Sequence, residues 1–520
     1  MDVPVLIVGG GPVGLTASIL LSHHGVSSLL VERHPGTAVH PKARGINART
    51  MEMYRQHGVE ADIRAAGLPP DKAQFIVWTR ALAGEEIERR VPGRQRPENQ
   101  AVSPVRNCLC AQDYLEPVLR RFAERAPEAE LRFNTELAAF EQDAHGVTAT
   151  LLDRVTGTES RVRAPYVIAA DGAQSRVRRT LGVNMVGKED VYDSVNVLIN
   201  ADLRPWTEAR PSALYFVERP DLKATFLTIN AVDRWGFLVN SLRDYGLSPG
   251  DFTPERTVAM VRDAAGVPDL AVEVLGVAAW TASAHVAERY AHGRVFLAGD
   301  AAHEMPPTGG FGLNTGVQDV QNLAWKLAGV LQGWAAPSLL DTYDQERRPI
   351  GVAITEQSLA NSISMGRLGR TPGLARPEFL NELGMIFGAS YTSSAVIPDG
   401  TPPPAVANPV TDYVPSARPG CRAPHAWLER HGERVSTIDL IGRRFTLFAN
   451  GAEWSAAARP LSARAPLDVV SIGEGAAAYG VEPGGAVLVR PDGYVGWRAP
   501  GHVDDASSAL RTALSSLLGV

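Results

Sequence analysis

A glycine-rich segment near the start of the sequence has the residue types and spacing of a dinucleotide-binding turn. Residues 9–14 read Gly-Gly-Gly-Pro-Val-Gly, a G-x-G-x-x-G pattern. Gly9 permits a tight turn, Gly11 lets the backbone approach a pyrophosphate, and Gly14 lets a helix pack closely on a strand. The free N–H groups at the start of that helix would face the phosphates. A purely structural turn is the alternative, and the neighbouring elements argue against it.

The next apolar run adds a second part of this predicted site. It ends at Glu32, where a carboxylate can accept hydrogen bonds from an adenosine ribose. The G-x-G-x-x-G pattern by itself does not distinguish FAD from NAD. The residues of these two segments that we expect to contact the cofactor are Gly9, Gly11, Pro12, Val13, Gly14, Glu32 and Arg33.

Two later aspartates follow predicted strands and favour FAD. Asp171, with Gly172, comes after the predicted strand 166–168, and Asp300 comes after the predicted strand 294–298. An aspartate at the carboxyl end of a parallel strand can bind a ribityl or ribose hydroxyl. A flavin nucleotide carries both groups, so this pair of segments indicates FAD.

The residues after Asp300 suit a flat ring. Gly309, Gly310 and Gly312 carry no side chain, so main-chain amides there can approach a ring closely. A helix that begins at Leu313 and Asn314 would direct its positive end toward the ring. Such a field favours the negative charge of a reduced flavin.

These motifs require a parallel sheet with helices, and the sequence pattern predicts one. Residues 3–8 and 27–32 are strand-like and flank a helical pattern at 12–24, which is a βαβ unit. Further helical patterns and a strand pattern complete the first third of the chain. They lie at 47–56, 114–125 and 131–133, and residues 75–91 resemble a strand-like insertion.

The pattern changes in the middle of the chain and again near its end. Short runs rich in Val, Phe, Tyr and Trp predict an antiparallel sheet, at 195–199, 213–217, 224–230 and 235–240. A strong helix is predicted at 319–331. Residues 398–424 are rich in proline and read as a linker. A compact α/β pattern follows, with strands at 446–448, 468–472, 486–489 and 495–498 and a turn at 491–493.

Composition limits the classes of protein that this chain can represent. A length of 520 residues predicts two or three domains. The net charge of −6 gives no case for nucleic acid, and no run approaches the ~18 apolar residues of a membrane span. The three cysteines form no disulfide framework or zinc motif, and no signal-peptide pattern is present. We therefore expect a cytoplasmic protein without bound metal and without a nucleic-acid or membrane partner.

Taken together, these segments resemble the class A flavoprotein aromatic hydroxylases, which share the p-hydroxybenzoate hydroxylase-like fold. The sequence is most similar to the phenol hydroxylase-like and polyketide-tailoring branch, and the resemblance spans residues 3–350. The segments that carry it are residues 9–14, 41–44, 49–52, 171–172, 299–314 and, the most specific, Asn322-Leu323-Ala324-Trp325-Lys326-Leu327.

The resemblance implies a domain organisation. A discontinuous Rossmann-like FAD-binding domain would comprise residues 1–185 and 286–398, and an antiparallel-sheet substrate domain residues 186–285. A linker and a thioredoxin-like domain would fill residues 399–520. That domain has no C-x-x-C motif, so dithiol chemistry is not implied. A homodimer stays open as an alternative to a monomer, with this region as its candidate interface.

The resemblance also implies roles for individual positions. Arg44 and Gln112 match residues that hold the flavin. Asp171-Gly172 matches a motif that serves both FAD and NAD(P)H. No general acid or base stands out. The loop and helix start that would lie beside the oxygen-reactive carbon and the ring comprise Pro306, Pro307, Gly310, Gly312, Leu313 and Asn314.

The implied reaction is hydroxylation of an aromatic, polyketide-derived molecule, as in antibiotic biosynthesis. NADPH or NADH would reduce FAD, O2 would add to the flavin, and the resulting hydroperoxide would pass OH to an electron-rich ring. Baeyer–Villiger oxygenation on the same scaffold and a non-catalytic flavin-binding protein are the alternatives. The lack of a W-x-W-x-I-P segment argues against a flavin halogenase.

Aromatic residues of the predicted sheet and its surroundings are candidates for the substrate wall. A concave site for an aromatic molecule is expected to be lined mainly by apolar and aromatic side chains. The alternative for each is an ordinary core position. The candidates are Trp78, Tyr215, Phe226, Trp235 and Tyr391.

Overall fold

A six-stranded sheet carries the glycine-rich turn, in a computed structural model that describes residues 1–93, 101–365 and 377–520. Adjacent strands of this sheet run parallel, except for one antiparallel pair at its edge. The predicted βαβ unit is confirmed, because Val5–Val8 and Ser28–Val31 pair in parallel around the helix Pro12–His23. The strand order is Ala291–His292, Val295–Leu297, Tyr166–Ala169, Val5–Val8, Ser28–Val31 and Ala129–Arg132.

Helices pack against this sheet, and the three predicted at 12–24, 47–56 and 114–125 lie within two residues of their predicted bounds. Every residue of Val5–Val8 is buried, as expected for a parallel strand with both faces covered. One three-stranded antiparallel sheet in this region was not predicted: Thr135–Gln142, Val147–Asp153 and Glu159–Ala164. The helices are Ala48–Gln56, Glu60–Ala66, Gln112–Arg125, Arg176–Thr180 and Gly312–Leu331.

An eight-stranded, largely antiparallel sheet forms the middle of the chain. The strand-like pattern predicted at 75–91 is confirmed: both of its strands belong to this sheet, and one pairs in parallel with Ser212–Glu218. The 15-residue strand Glu273–Ala287 was missed because it is rich in alanine. In order, the strands are His303–Glu304, Glu273–Ala287, Met185–Asn200, Arg234–Asn240, Lys223–Thr228, Ser212–Glu218, Phe75–Thr79 and Glu86–Arg90.

The C-terminal part contains the four predicted strands in one mixed sheet. Their order is Leu467–Ser471, Phe445–Ala449, Ala486–Val489 and Val495–Ala499, with the first pair parallel and the others antiparallel. This arrangement with flanking helices is thioredoxin-like. Helices Glu453–Ala458, Ala476–Tyr479 and Ala506–Leu518 accompany it, with a hairpin formed by Trp427–Arg430 and Glu433–Ser436.

A buried charge cluster joins the C-terminal sheet to the rest of the chain. Glu346, on the helix Thr342–Ser364, receives hydrogen bonds from Arg490 at 2.6 and 2.8 Å and from Lys326 at 2.7 Å. All three side chains are completely buried. A second tie runs from Arg49 to the main-chain oxygen of Asp492, at 2.7 Å. The C-terminal sheet and the rest of the chain are therefore joined by buried charged groups that compensate one another.

The remaining helices connect these units. Arg204–Thr207 and Pro254–Ala265 pack beside the eight-stranded sheet, and Pro377–Leu380 and Leu383–Phe387 follow the long helix. Gly45–Ile46 pairs with Cys108–Leu109 in a short two-stranded sheet. Within the three described ranges, no helix is both long enough and apolar enough to cross a membrane.

Candidate active site

A cavity of about 1260 Å³ extends from the glycine-rich turn to one face of the eight-stranded sheet. Sites for single small ligands usually measure roughly 300–1,000 Å³. This cavity therefore has room for a dinucleotide and a second molecule. Its dinucleotide end contains the predicted cofactor residues Gly9, Gly11, Pro12, Val13, Glu32, Arg33, Arg44, Gln112, Asp171, Gly172, Asp300, Gly312, Leu313 and Asn314.

The glycine-rich turn shows why each glycine is needed. A Cβ on Gly9 would lie 2.2 Å from the carbonyl oxygen of Ala170, and Gly9 has a φ of +110°. A Cβ on Gly14 would lie 1.9 Å from the carbonyl oxygen of Gly9, so helix and turn pack without side chains between them. A Cβ on Gly11 would meet no atom within 4 Å and would project into open space. That open position leaves a cradle for phosphates at the helix start.

Glu32 braces the turn as well as facing the cavity. Its Oε2 accepts the main-chain N–H of Gly10 at 2.7 Å, and its Oε1 accepts that of His34 at 2.9 Å. The carboxylate therefore fixes the turn and still lines the cavity at the place predicted for a ribose. The bracing role was not anticipated from the sequence.

Arg44 and Gln112 both line the cavity but are held by protein groups. The guanidinium of Arg44 donates to the carbonyl oxygens of Thr228, at 2.9 Å, and Ala213, at 2.6 Å. Gln112 donates to Glu116 at 2.6 Å. Arg44 thus ties the segment before Gly45 to the eight-stranded sheet, and this tie fixes the distance between the two ends of the cavity.

Asp171 and Gly172 form the turn after the strand Tyr166–Ala169. Asp171 accepts a hydrogen bond from the Ser175 hydroxyl at 2.6 Å and another from the Val177 N–H at 3.2 Å. Gly172 has a φ of +81°, a conformation that favours glycine. The pair therefore shapes the cavity wall by holding the start of the next helix.

The second aspartate loop contacts the glycine-rich turn directly. A Cβ on Gly299 would lie 2.9 Å from Val13, and a Cβ on Gly316 would lie 2.7 Å from the same side chain. Asp300 faces the cavity, where its side chain is exposed. Gly316 was missed from the sequence, because its need for close packing becomes evident only when the two loops meet.

The loop 306–312 reaches the cavity through its glycines and prolines. Pro306, Pro307 and Gly310 all line the cavity, and Gly310 has a φ of +69° with no atom within 4 Å of a Cβ. The N–H of Gly310 donates to Pro307 at 3.0 Å and closes a turn. The loop therefore presents backbone, rather than side chain, to the space where a ring would lie.

Asn314 holds this loop from the first turn of the following helix. Its Nδ2 donates to the carbonyl oxygens of Gly310 at 2.7 Å and Gly45 at 2.9 Å. Its Oδ1 accepts the N–H of Asn47 at 2.9 Å. The side chain is fully engaged by the protein, so only its main chain could contact a cofactor.

Behind the loop lies a cluster of buried, hydrogen-bonded side chains that does not line the cavity. Nε2 of His303 lies 2.8 Å from Asp319, and Asp319 also accepts from Arg347 at 2.9 Å. Burial opposes ionisation of Asp319, but the neighbouring His303 and Arg347 outweigh it and lower the pKa of that carboxyl group. Asp319 holds the N–H of the neighbouring Gly299, and neither Asp319 nor Arg347 was identified from the sequence as a part of the site.

Three of the predicted substrate-wall residues point away from the cavity, so their assignment was wrong. Tyr215, Phe226 and Trp235 lie in the buried core on the other face of the sheet. Successive side chains of a strand alternate between its faces, so their sequence neighbours form the wall instead. The residues that line the cavity from these strands are Leu214, Phe216, Thr225, Leu227, Gly236, Leu238 and Asn240.

The other two candidates are also absent from the cavity lining. Tyr391 is buried at the contact with the C-terminal part. Its ring stacks on that of Tyr494, with 4.0 Å between the ring centroids, and its hydroxyl accepts a hydrogen bond from Arg347 at 3.0 Å. Trp78 lies on the cavity side of its strand and packs on Phe216, with 5.3 Å between the two ring centroids. Phe216 is the aromatic residue of this pair that reaches the cavity.

Comparisons with known proteins agree with this architecture. A family profile described as an FAD binding domain matches residues 2–358, and one described as the C-terminal domain of aromatic-ring hydroxylases matches residues 416–520. Tetracenomycin A2 monooxygenase-dioxygenase of Streptomyces glaucescens is 42% identical over 556 residues, which cover 99% of this chain and 97% of that protein.

Two solved structures extend the similarity to three dimensions. The flavin-dependent monooxygenase PieE, in complex with FAD and substrate, has a TM-score of 0.91 and 36% identity. Aklavinone-11 hydroxylase, in a ternary complex with FAD and aklavinone, has a TM-score of 0.89 and 37% identity. Each comparison covers 100% of this chain and 99% of the other. The predicted fold class and cofactor are confirmed, and this chain belongs to the family of FAD-dependent aromatic-ring hydroxylases.

Proposed function

We propose that this enzyme hydroxylates a polycyclic phenolic compound of polyketide origin, with NADPH or NADH as reductant and O2 as oxidant. The supporting observation is a single cavity that runs from the phosphate cradle at Gly11 to an apolar sheet face. Relatives named for tetracenomycin and aklavinone point to the same substrate class. A smaller phenol would leave much of the apolar wall without contacts.

The residues present fit FAD. The open Gly11 position and the start of the helix Pro12–His23 would receive the pyrophosphate, and Glu32 would receive the adenosine ribose. Asp300 would bind the ribityl chain. The main-chain groups of Leu313 and Asn314 would contact the ring.

When bound, FAD supplies the activation of O2 and the transfer of one oxygen atom to the ring of the substrate. The chain has to exclude water, orient the aromatic ring and hold the loop 306–312 in place. Asn314 supplies the last of these functions through its bond to Gly310. Leu214, Phe216 and Leu238 would pack on the faces of the substrate.

The test is a screen of aromatic polyketides for stimulation of NADPH and NADH oxidation by the FAD-loaded protein. The expected result is a compound that accelerates oxidation and gains one oxygen atom from ¹⁸O2 as a ring hydroxyl group. A ring-expanded lactone would indicate Baeyer–Villiger oxygenation instead. Tight FAD binding without turnover of any polycyclic phenol would contradict the proposal.

A further inference from the structure

A buried carboxamide lies on the sheet face at the substrate end of the cavity. Asn240, the last residue of the strand Arg234–Asn240, is 6% exposed and lines the cavity. Most other side chains of this sheet that line the cavity are apolar or aromatic, and an amide without hydrogen bonds is costly to retain among them. They include Leu214, Phe216, Leu227, Leu238 and Trp280.

The hydroxyl of Ser194 fixes the orientation of this amide. Ser194 lies directly opposite Asn240 in the antiparallel ladder, and its Oγ donates to Oδ1 of Asn240 at 2.8 Å. The same hydroxyl is shared with the carbonyl oxygen of Val239, at 3.1 Å. Because the hydroxyl bonds the oxygen of the amide, the nitrogen of the amide is turned away from Ser194.

The amide nitrogen of Asn240 is left without a protein acceptor. A side-chain amide nitrogen carries two N–H groups, and no residue in the described part of the chain accepts a hydrogen bond from Nδ2 of Asn240. Buried side-chain donors in folded proteins nearly always have a partner. A buried donor on the wall of a ligand cavity is therefore available to a bound molecule.

A second asparagine on the same sheet face already uses its nitrogen within the protein. Asn196 lines the cavity two positions after Ser194, and its Nδ2 donates to the carbonyl oxygen of Pro41 at 3.1 Å. That bond ties the sheet to the segment before Arg44. Asn196 thus joins two parts of the protein, whereas the amide nitrogen of Asn240 joins none.

We propose that Asn240 donates a hydrogen bond to a carbonyl oxygen of the substrate, an inference that rests on the proposed function. A carbonyl oxygen accepts an N–H and has no hydrogen of its own, so it suits an amide nitrogen. The substrate class is thereby narrowed to polycyclic phenols that carry a ketone or quinone group. Asn240 is a specificity residue, because an analogue without the carbonyl would leave its N–H groups buried and unpaired.

The first test compares the binding of 2-hydroxyanthraquinone and 2-hydroxyanthracene to the FAD-loaded protein. The two probes share a ring skeleton and a hydroxyl group and differ in the carbonyl groups. Asn240→Leu, a change of similar shape, should weaken binding of the quinone about 10-fold, the scale of one hydrogen bond, and binding of the hydrocarbon less than about twofold. Asn200→Leu, on the neighbouring strand and outside the cavity lining, should leave both dissociation constants unchanged.

The second test has a readout that a merely structural role would not change. A hydrogen bond lowers the stretching frequency of a carbonyl group, and isotope-edited infrared difference spectra of bound, ¹⁸O-labelled 2-hydroxyanthraquinone measure that frequency. One carbonyl band of the probe is expected at lower frequency in the parent protein than in Asn240→Leu. Ser194→Ala removes the bond that orients the amide, so it should shift the band in the same direction by a smaller amount. FAD content is measured in the same samples.

Asn240→Asp repeats both comparisons in case the leucine variant does not fold. The ionised aspartate keeps the shape of the side chain but has no N–H group, so it should weaken binding of the quinone at least as much. Equal carbonyl frequencies and an equal ratio of the two dissociation constants in the parent and the folded variants would overturn the role of Asn240 and leave the proposed function standing. Failure of both probes to bind would overturn the proposed function, and the inference with it.

Discussion

Asp319 and His303 face each other inside the protein, with 2.8 Å between the carboxylate oxygen and Nε2. The same oxygen atom accepts the N–H of Gly299 at 3.2 Å, so a buried carboxylate holds the main chain that precedes Asp300. The cofactor loop is therefore positioned by a residue that does not line the cavity.

Asp319→Asn is expected to destabilise the fold and weaken FAD retention together. The change leaves the buried guanidinium of Arg347 without its carboxylate, and loss of one partner of a buried pair typically costs about 3–5 kcal/mol. The free energy of unfolding by urea and the FAD content after gel filtration measure the two effects. Exposed Asp341→Asn is the control. An unchanged unfolding midpoint and FAD content would show that the Asp319 carboxylate stabilises neither the fold nor the loop at Gly299.

Glu346→Gln is expected to remove a pH-dependent part of the stability. Burial opposes ionisation of Glu346, but Arg490 and Lys326 outweigh it and lower the pKa of its carboxyl group in the folded protein. Its contribution is full above the pKa of an unfolded glutamate, about 4.3, and declines as pH falls below it toward the lowered folded pKa. Urea unfolding of parent and variant should therefore differ by a constant amount between about pH 5 and pH 7, below the pKa of Lys326, which burial lowers to about 8, and should converge at lower pH. A difference that grows toward acid pH would contradict this assignment.

Gly310→Val is expected to damage coupling at least as much as FAD binding. A side chain there would project into the cavity from a left-handed backbone, which costs roughly 1–2 kcal/mol for a residue with a Cβ. The variant should release more hydrogen peroxide and less hydroxylated product for each NADPH oxidised. FAD content is measured in the same sample. Full FAD occupancy with parental coupling would place the oxygen site elsewhere.

Glu32→Lys is expected to weaken FAD binding through two effects. It removes the carboxylate predicted for the ribose, and it removes the acceptor of the Gly10 N–H that fixes the turn. Glu32→Gln keeps an acceptor oxygen and should lose less affinity. Titration of the apoprotein with FAD gives both dissociation constants. Equal affinity in parent and lysine variant would make Glu32 an ordinary surface carboxylate.

The cofactor half of the site was predictable because its constraints are local. Gly9, Gly11 and Gly14 have roles that depend on a turn, a strand and a helix within one short segment, and the structure shows those close approaches. Asp300 could be found in the same way, since it follows a buried strand. The glycine-rich turn therefore follows from spacing, whereas Arg44 and Gln112 were assigned through the family resemblance.

The substrate half was not predictable, because both faces of its sheet are apolar. Phe216 and Phe226 cannot be assigned to the cavity or to the core by residue type, and a shift by one position moves a side chain to the other face. Glu382, which lines the cavity, belongs to a short segment that approaches Gly309 of the loop 306–312 only in the tertiary structure. No sequence pattern near it marks that meeting.

The cluster around Glu346 also has a consequence for how the chain is made. Arg490 is 144 residues further along the sequence, so a growing chain contains Glu346 and Lys326 long before their partner. Lys326 lies on the helix whose first turn closes the ring-binding loop. Until then Glu346 has Lys326 as a partner but lacks its two hydrogen bonds from Arg490. We therefore expect a chain that ends before residue 490 to hold the helix Gly312–Leu331, and the loop before it, less firmly than the 520-residue chain does.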